Sequence, residues 1–388
     1  MDFRDTPAEA EFRAGLRSWL AESLPADWAD RPPHVGRFDV EESRAWSRKL
    51  FDAGYVGITW PKEFGGGGLP HTYQGIYLEE SARAGAPDHI GGIGLGMAGP
   101  TIIAWGSDEQ KKRYLAPLLS GEEVWCQGFS EPGSGSDLAG AKTRAVLDGD
   151  EWVVNGQKVW SSYAHIADWC ILVVRTDAEA EKHRGLSYLL VDMRSPGVEV
   201  RPLRQITGDP EFNEVFFTDV RVPRESMLGK PGDGWNVAMT TLLHERGTLG
   251  FSLTAALERQ VLHLVKLAKE CGAADDPVVR DRIAQEWIDL QALRFTNYRS
   301  LTTLAKTGVP GPEGSVAKLH WSETNQRLTK LALSLEGLAS QLDADGGVWN
   351  GFWQYQQLRS RGNTIEAGTS EILRNIVAER VVGLPRSR

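Results

Sequence analysis

The sequence predicts an α+β protein in which a helical block, a β block and a second helical block follow one another along the chain. Two observations carry this expectation. Apolar residues recur at helical spacing in the first third and again after Val222-Pro223-Arg224, whereas β-branched and aromatic runs of strand length, separated by turn residues, fill the stretch between. The helix-start signatures also stand at the edges of the apolar-periodic segments. The predicted domains are residues 1–121, helical; 122–228, β; and 229–388, helical.

Thr6, Pro7 and Glu9 occupy N-cap, N1 and N3 of a first helix whose Phe12, Leu16, Trp19 and Leu20 share one face. Further helices are predicted over 41–54, 72–84 and 107–119, the last opening on a capping box of Ser107 and Gln110. Gly92, Gly94 and Gly96 loosely imitate a dinucleotide fingerprint. Their flanks are helical rather than strand and helix, so close helix packing is the reading adopted. Strand-like runs follow at 123–129, 143–160, 169–176, 186–192, 198–205 and 212–222, with turns at Asp148-Gly149-Asp150 and Asn155-Gly156. Helices resume over 233–271, 277–307, 312–343 and 368–382. Connectors are expected near 272–277, 308–314 and 343–350; the last, with Trp349 and Trp353 beyond it, reads as a mobile loop or a packed corner.

Composition narrows the function. Hydrophobic residues at 41% and charged residues at 24% are ordinary for a globular chain, which leaves disorder and coiled coil unsupported. A net charge of −9 without a long basic run argues against a nucleic-acid partner. Cys126, Cys170 and Cys271 are odd in number and far apart, which fits neither a disulfide framework nor a zinc site; a reducing, cytoplasmic setting suits them. The acidic start and the lack of an apolar run of about 18 residues give no expectation of a leader or a membrane span.

Four segments carry candidate chemistry. Ser130-Glu131-Pro132-Gly133-Ser134-Gly135-Ser136-Asp137 follows a strand, and its glycines allow the close backbone approach that a pyrophosphate needs. No nucleophile elbow is present there, since neither Ser134 nor Ser136 has glycine at both −2 and +2. Lys158-Val159-Trp160-Ser161-Ser162 sets an aromatic plane beside two hydroxyls, although its pattern alone reads as a buried core tryptophan. His244-Glu245-Arg246 lies among Leu242, Leu243 and Leu249, where a half-buried carboxylate becomes a base or simply pairs with arginine. Thr364–Glu371 enters the last helix with Thr369 as cap. Nothing resembles HExxH, and no metal is expected.

Taken in order and spacing, these segments resemble the acyl-CoA dehydrogenase family along nearly the whole chain. The resemblance also rests on Trp60–Gly66, Asp108–Leu115, Asn155–Trp160, Phe216–Pro223 and Ile365–Arg374. It implies a helical N-terminal domain, a barrel-like β middle and a C-terminal four-helix bundle, with FAD as cofactor. Phe129, Ser130 and the Gly135-Ser136 turn would then line the isoalloxazine and pyrophosphate, with Ser136 also near the acyl-CoA. Trp160 and Ser162 would pack on and hydrogen-bond the flavin ring. Thr369 and Glu371 match a further FAD contact, Arg246 an arginine beside the substrate channel, and the Ala367 N–H a donor to the thioester oxygen. The implied reaction is α,β-desaturation of an acyl-CoA, with electrons passed to an electron-transfer flavoprotein by a homo- or hetero-oligomer, dimer or tetramer.

The sequence departs from that family in two ways. Many relatives place the base in Ile-Tyr-Glu-Gly-Thr, whereas Ile365-Glu366-Ala367-Gly368-Thr369 carries its carboxylate one position early. Isovaleryl- and long-chain-type enzymes supply a helix-borne base in a Leu-Glu-Arg-like context, which Leu243-His244-Glu245-Arg246 resembles; Glu245 is therefore the expected base, with Glu366 in reserve. Cys271–Pro277 replaces the usual Arg-x-x-Phe-Gly segment, and Leu335-Glu336-Gly337-Leu338 the Gly-Gly-x-Gly, which suggests a divergent branch with a second, non-identical subunit. The competing expectations are a flavin monooxygenase or nitroalkane oxidase of the same fold, and a non-catalytic partner subunit.

Overall fold

Both predicted capping boxes form. Thr6 accepts from the Glu9 N–H while the Glu9 carboxylate bonds back to the Thr6 N–H, opening α1 (Pro7–Ser23); Ser107 and Gln110 do the same for α5 (Asp108–Ser120). The computed structural model describes residues 4–25, 39–307, 311–342 and 346–386, without the side chains of residues 245–249. Between those helices lie α2 (Val40–Asp52), α3 (His71–Arg83) and α4 (Gly99–Trp105). The strands are β1 (Trp125–Gly128), β2 (Arg144–Asp148), β3 (Glu151–Ser162), β4 (Trp169–Arg175), β5 (Leu186–Asp192), β6 (Val198–Leu203) and β7 (Phe212–Pro223). After them come α6 (Gly234–Glu270), α7 (Pro277–Thr307), α8 (Glu313–Glu336), α9 (Phe352–Asn363) and α10 (Ser370–Ile376).

These elements form two compact units, each discontinuous in sequence. The β unit comprises Phe38–Leu69 and Asp88–Glu245. Its sheet runs β1-β4-β2-β3-β7-β6, with β5 also on β4. Side chains of β1, β4 and β5 (Cys126, Cys170, Leu189, Val191) share one core with those of β2, β3 and β7 (Ala145, Val154, Val215, Phe217), so the sheet curls around its own apolar face. Cys126 and Cys170 are buried register neighbours on β1 and β4, whereas Cys271 is exposed. Of the glycines after Ile90, Gly94 and Gly99 serve packing, since a Cβ would stand 3.0 Å from Leu118 on the first and only 2.0 Å from the Trp60 ring on the second; at Gly92 and Gly96 space is open, so packing does not account for those two.

One expected turn is absent. Asn155-Gly156 lies inside β3, where the pairing with β7 slips by a residue between Val154 and Gly156. Gly156 takes φ +153° there, and a Cβ would sit 2.5 Å from the Thr143 hydroxyl. The dipeptide thus marks a β-bulge at a close backbone approach, a second use of glycine in strands.

The bundle unit comprises Met1–Arg37, Pro70–Pro87 and Arg246–Arg388. Its core draws Leu257 and Leu264 from α6, Leu290 and Leu293 from α7, Leu328 and Ala332 from α8, and Phe352 and Trp353 from α9, so four helices meet along one apolar seam. The sequence reading missed α9. Gly351 and aromatic-rich Phe352–Tyr355 obscure its start, and Trp349, Asn350 and Gly351 all adopt left-handed backbone just before it. Trp349 packs on Phe352 and Trp353, which makes this a packed corner; residues 343–345 of the expected connector lie outside the described residues.

Candidate active site

In the β unit the chain leaves β1 and closes a tight turn, with the Glu131 N–H donating to Ser134 C=O at 2.9 Å and the Ser134 N–H to Glu131 C=O at 3.0 Å. The Ser134 hydroxyl donates to the Asp137 carbonyl. Gly135 and Ser136 are left exposed, and space is open where a Cβ on Gly133 or Gly135 would stand. The Glu131 side chain goes the other way, inward to a completely buried lysine. Lys158 donates to Glu131 Oε1 at 2.8 Å and to the Phe129 carbonyl at 3.0 Å. The same carboxylate accepts the N–H groups of Lys142 at 2.7 Å and Thr143 at 2.8 Å. Burial works to raise the Glu131 pKa, yet the adjacent ammonium and the donated hydrogen bonds hold it below the usual carboxylate range. Burial pushes the Lys158 ammonium below the usual lysine value, with Glu131 opposing.

Two residues after Lys158, Trp160 is 60% exposed, against the buried position its pattern suggested. The cause is a second slip of register between Lys158 and Ser161, with φ +61° at Trp160, which takes the indole out of the inward alternation and buries Ser161 instead. A non-glycine residue held in that region costs on the order of 1–3 kcal/mol, and such strain concentrates at functional sites. The exposed indole meets Phe212 edge-on at 6.1 Å, and Ser162 beyond it is half-buried. The Val159 N–H donates to the Ser130 carbonyl at 2.9 Å, so the turn and the tryptophan strand are directly joined. Phe129 is buried edge-on against Tyr188, whose hydroxyl belongs to a buried chain with Thr241 and Thr101.

The bundle unit holds the other group of candidates, on the connector between α9 and α10. Buried Lys318 of α8 donates to the carbonyls of Asn363, at 2.6 Å, and Gly368, at 2.9 Å, fixing both ends of this connector. Glu366 accepts two hydrogen bonds from Arg359, at 3.1 and 3.0 Å, and one from Asn363 at 2.9 Å. Ala367 then takes φ +52° and Gly368 φ +97°. Among the described residues, no acceptor is found for the N–H groups of Ala367, Gly368 and Thr369. Thr369 caps α10 by accepting the Ile372 N–H at 3.2 Å, and Glu371 is exposed in its first turn, its carboxyl held low by its own N–H and the Thr369 hydroxyl. Glu245 and Arg246 fall in α6, and their side chains lie outside the described residues.

Sequence reasoning thus named the residues of both loops but missed what holds them: Lys158 with Glu131, Lys318, and Arg359 with Asn363. A lysine in the middle of a β-rich run was the available signal for the first. Lys318 and Arg359 had none, since both look like ordinary helix-surface residues until the helices are assembled. Each group suits part of FAD. An exposed indole beside the half-buried Ser162 hydroxyl suits a flat polar ring, an open glycine turn suits a diphosphate, and N–H groups without an acceptor among the described residues suit anionic or carbonyl oxygen. Among the described residues no cluster of three metal-ligating side chains occurs, and no helix is long and apolar enough to cross a membrane.

Comparison with known proteins gives the same picture along the whole length. Residues 6–122, 126–220 and 232–382 match the N-terminal, middle and C-terminal domains of acyl-CoA dehydrogenase, respectively. The acyl-CoA dehydrogenase IpdE1 of Mycobacterium tuberculosis is 45% identical over 97% of this chain and 98% of its own. The chain belongs to the acyl-CoA dehydrogenase family. The protein of the same name from Mycolicibacterium smegmatis is 47% identical over 97% of this dehydrogenase and 98% of its own length. Among solved structures, the Tcur3481-Tcur3483 steroid ACAD is 33% identical, covers 100% of both chains and superposes with a TM-score of 0.88. The ChsE4-ChsE5 complex from Mycobacterium tuberculosis is 31% identical over 100% of both chains, with a TM-score of 0.84. This acyl-CoA dehydrogenase is therefore an FAD flavoprotein and an oxidoreductase, with the helical, curled-sheet and helical-bundle parts of that fold.

Proposed function

We propose that this acyl-CoA dehydrogenase introduces an α,β double bond into a bulky, steroid-like acyl-CoA, with Glu245 as the base. The observation that carries the substrate class is the full-length likeness to a steroid acyl-CoA dehydrogenase, at 33% identity and a TM-score of 0.88. Flavin-contacting roles go to Phe129, Ser130, Gly135, Ser136, Trp160 and Ser162 in the β unit, and to Thr369 and Glu371 in the bundle unit.

When bound, FAD supplies the acceptor for the hydride that leaves the β-carbon. The chain's own part is to move the α-proton and to make it removable. An α-proton of a thioester is far too weak an acid for a free carboxylate, so the thioester carbonyl needs a donor that does not reorganise, and the N–H of strained Ala367 takes that role. Glu245 removes the proton. Glu366, held by three donated hydrogen bonds, fixes the connector that presents Ala367. Ser136 and Arg246 contact the acyl-CoA, and reducing equivalents leave to an electron-transfer flavoprotein.

Anaerobic titration with straight-chain, branched and steroid-ring acyl-CoA thioesters tests this reading. Bleaching of the bound flavin is expected with the steroid thioester. A flavin turned over only by oxygen or a nitroalkane would make the protein an oxidase or monooxygenase. The paired names of both solved relatives also favour assembly with a second, non-identical chain. Light scattering and flavin stoichiometry of the chain alone and with candidate partners decide that point, and full flavin in a homo-oligomer would exclude it.

A further inference from the structure

We propose that Glu131 and Lys158 act as a positioning pair for FAD, locking the Ser130–Asp137 turn to the Trp160 bulge so that both present to the flavin in one fixed register. This rests on the reading above that these two segments seat the cofactor.

The two segments come from different strands, and each is built to be displaced. The turn follows the end of β1 and is rich in glycine; Trp160 sits in a slip of register with left-handed backbone. Ladder bonds alone do not hold such irregular pieces in place. Lys158 stands at the joint. Its ammonium is completely buried and reaches both the Phe129 carbonyl, immediately before the turn, and Glu131 within it. Glu131, 8% exposed, in turn gathers the N–H groups of Lys142 and Thr143 at the entry to β2. Three separate backbone stretches thereby converge on one ion pair, and the Val159 N–H to Ser130 bond ties the same joint from the other side.

An ion pair is an expensive way to fill a core, because replacing both charges by apolar groups of similar volume is commonly neutral or stabilising. A directional role accounts for its presence here. The ammonium also polarises the Phe129–Ser130 peptide by bonding its carbonyl, and among the described residues no acceptor is found for the N–H of that peptide, at Ser130. The pair therefore fixes both the place and the donor strength of a group at the proposed flavin edge.

The test uses the full-length protein and FAD itself. Lys158→Met leaves a lone buried carboxylate, and the Glu131→Gln/Lys158→Met double variant removes both charges. In the double variant thermal stability is expected to recover towards wild type, while FAD binding, followed by flavin fluorescence, stays at least tenfold weaker and the flavin absorption band is displaced. Lys158→Arg, which keeps the charge, is expected to restore part of the affinity. Hydrogen exchange of the apoprotein should show residues 129–131 and 142–143 deprotected together in the single and the double variant alike. A double variant that regains wild-type FAD affinity along with its stability would overturn the proposal, since the pair would then serve the fold alone. Trp160→Phe tests the seat separately: an unaltered flavin spectrum in that variant sinks the placement of FAD on which the proposal rests.

Discussion

The two loops that carry the candidate chemistry, Ser130–Asp137 in the β unit and Thr364–Thr369 in the bundle unit, are secured by the same device. In each, a buried lysine donates to the main chain, Lys158 to one carbonyl and Lys318 to two, and a carboxylate collects donors from the surrounding backbone or side chains. They differ in the carboxylate. Glu131 is sealed in and bonds an ammonium and two N–H groups, whereas the Glu366 side chain is 30% exposed and bonds Arg359 and Asn363. Both acids are engaged in holding the chain around them. A carboxylate inside a conspicuous motif can thus be scaffolding, which is the contrast that the proposed base Glu245 puts to the test.

The variant Glu245→Gln gives the largest expected effect: desaturation falls roughly 10²–10⁴-fold with flavin retained, the range that positioned acid–base groups supply. Stopped-flow bleaching measures it, and near-normal turnover would return the role of base to Glu366. Next comes the anchor of the bundle loop. Lys318→Met removes two charge-assisted bonds and should lower stability by about 2–3 kcal/mol in urea, with the connector, not the helices, losing protection first. Loss of the Thr369 cap through Thr369→Ala is expected to cost about 1 kcal/mol. An equal loss of FAD affinity in that variant would show that the hydroxyl serves the cofactor as well as α10.

A third carboxylate extends the contrast and gives the smallest effect. Glu286 on α7 is buried like Glu131, but burial raises its pKa to about 7, and Arg327, 3.6 Å away, only partly offsets this. The opposite shifts of two similarly buried acids follow from donors: Glu131 has three at hydrogen-bond distance. Because the folded pKa of Glu286 lies above its unfolded value near 4.5, its contribution to stability is complete below pH 4.5 and is lost as pH rises through about 7. Glu286→Gln should therefore flatten the stability profile between pH 5 and 8 by on the order of 1 kcal/mol, allowing for screening. Parallel profiles for the two proteins would exclude that origin.

Local rules made much of the fold legible. Both capping boxes, the strand blocks and the long bundle helices follow from side chains within a few positions of one another. What escaped depends on partners distant in sequence. Asn155-Gly156 looks like a hairpin turn until β7 pairs across it. Trp160 looks buried until the bulge beside Lys158 turns it out. The start of α9 is hidden by a left-handed corner whose Trp349 packs on His263 and donates its indole N–H to Glu270 of α6. The same limit applies at the site, where motif residues were readable but Lys318 and Arg359 were not, since their partners are backbone and side-chain groups brought close by folding.

The uneven placement of the thiols has a practical consequence. With Cys126 and Cys170 sealed within the sheet, Cys271 at the turn after α6 is the one thiol the folded chain offers to a reagent. A maleimide dye will therefore mark each copy once, at a known end of the bundle. Labelled before it is mixed with a partner chain, the protein carries one dye per copy, so dyes per particle then count its copies without any engineered tag.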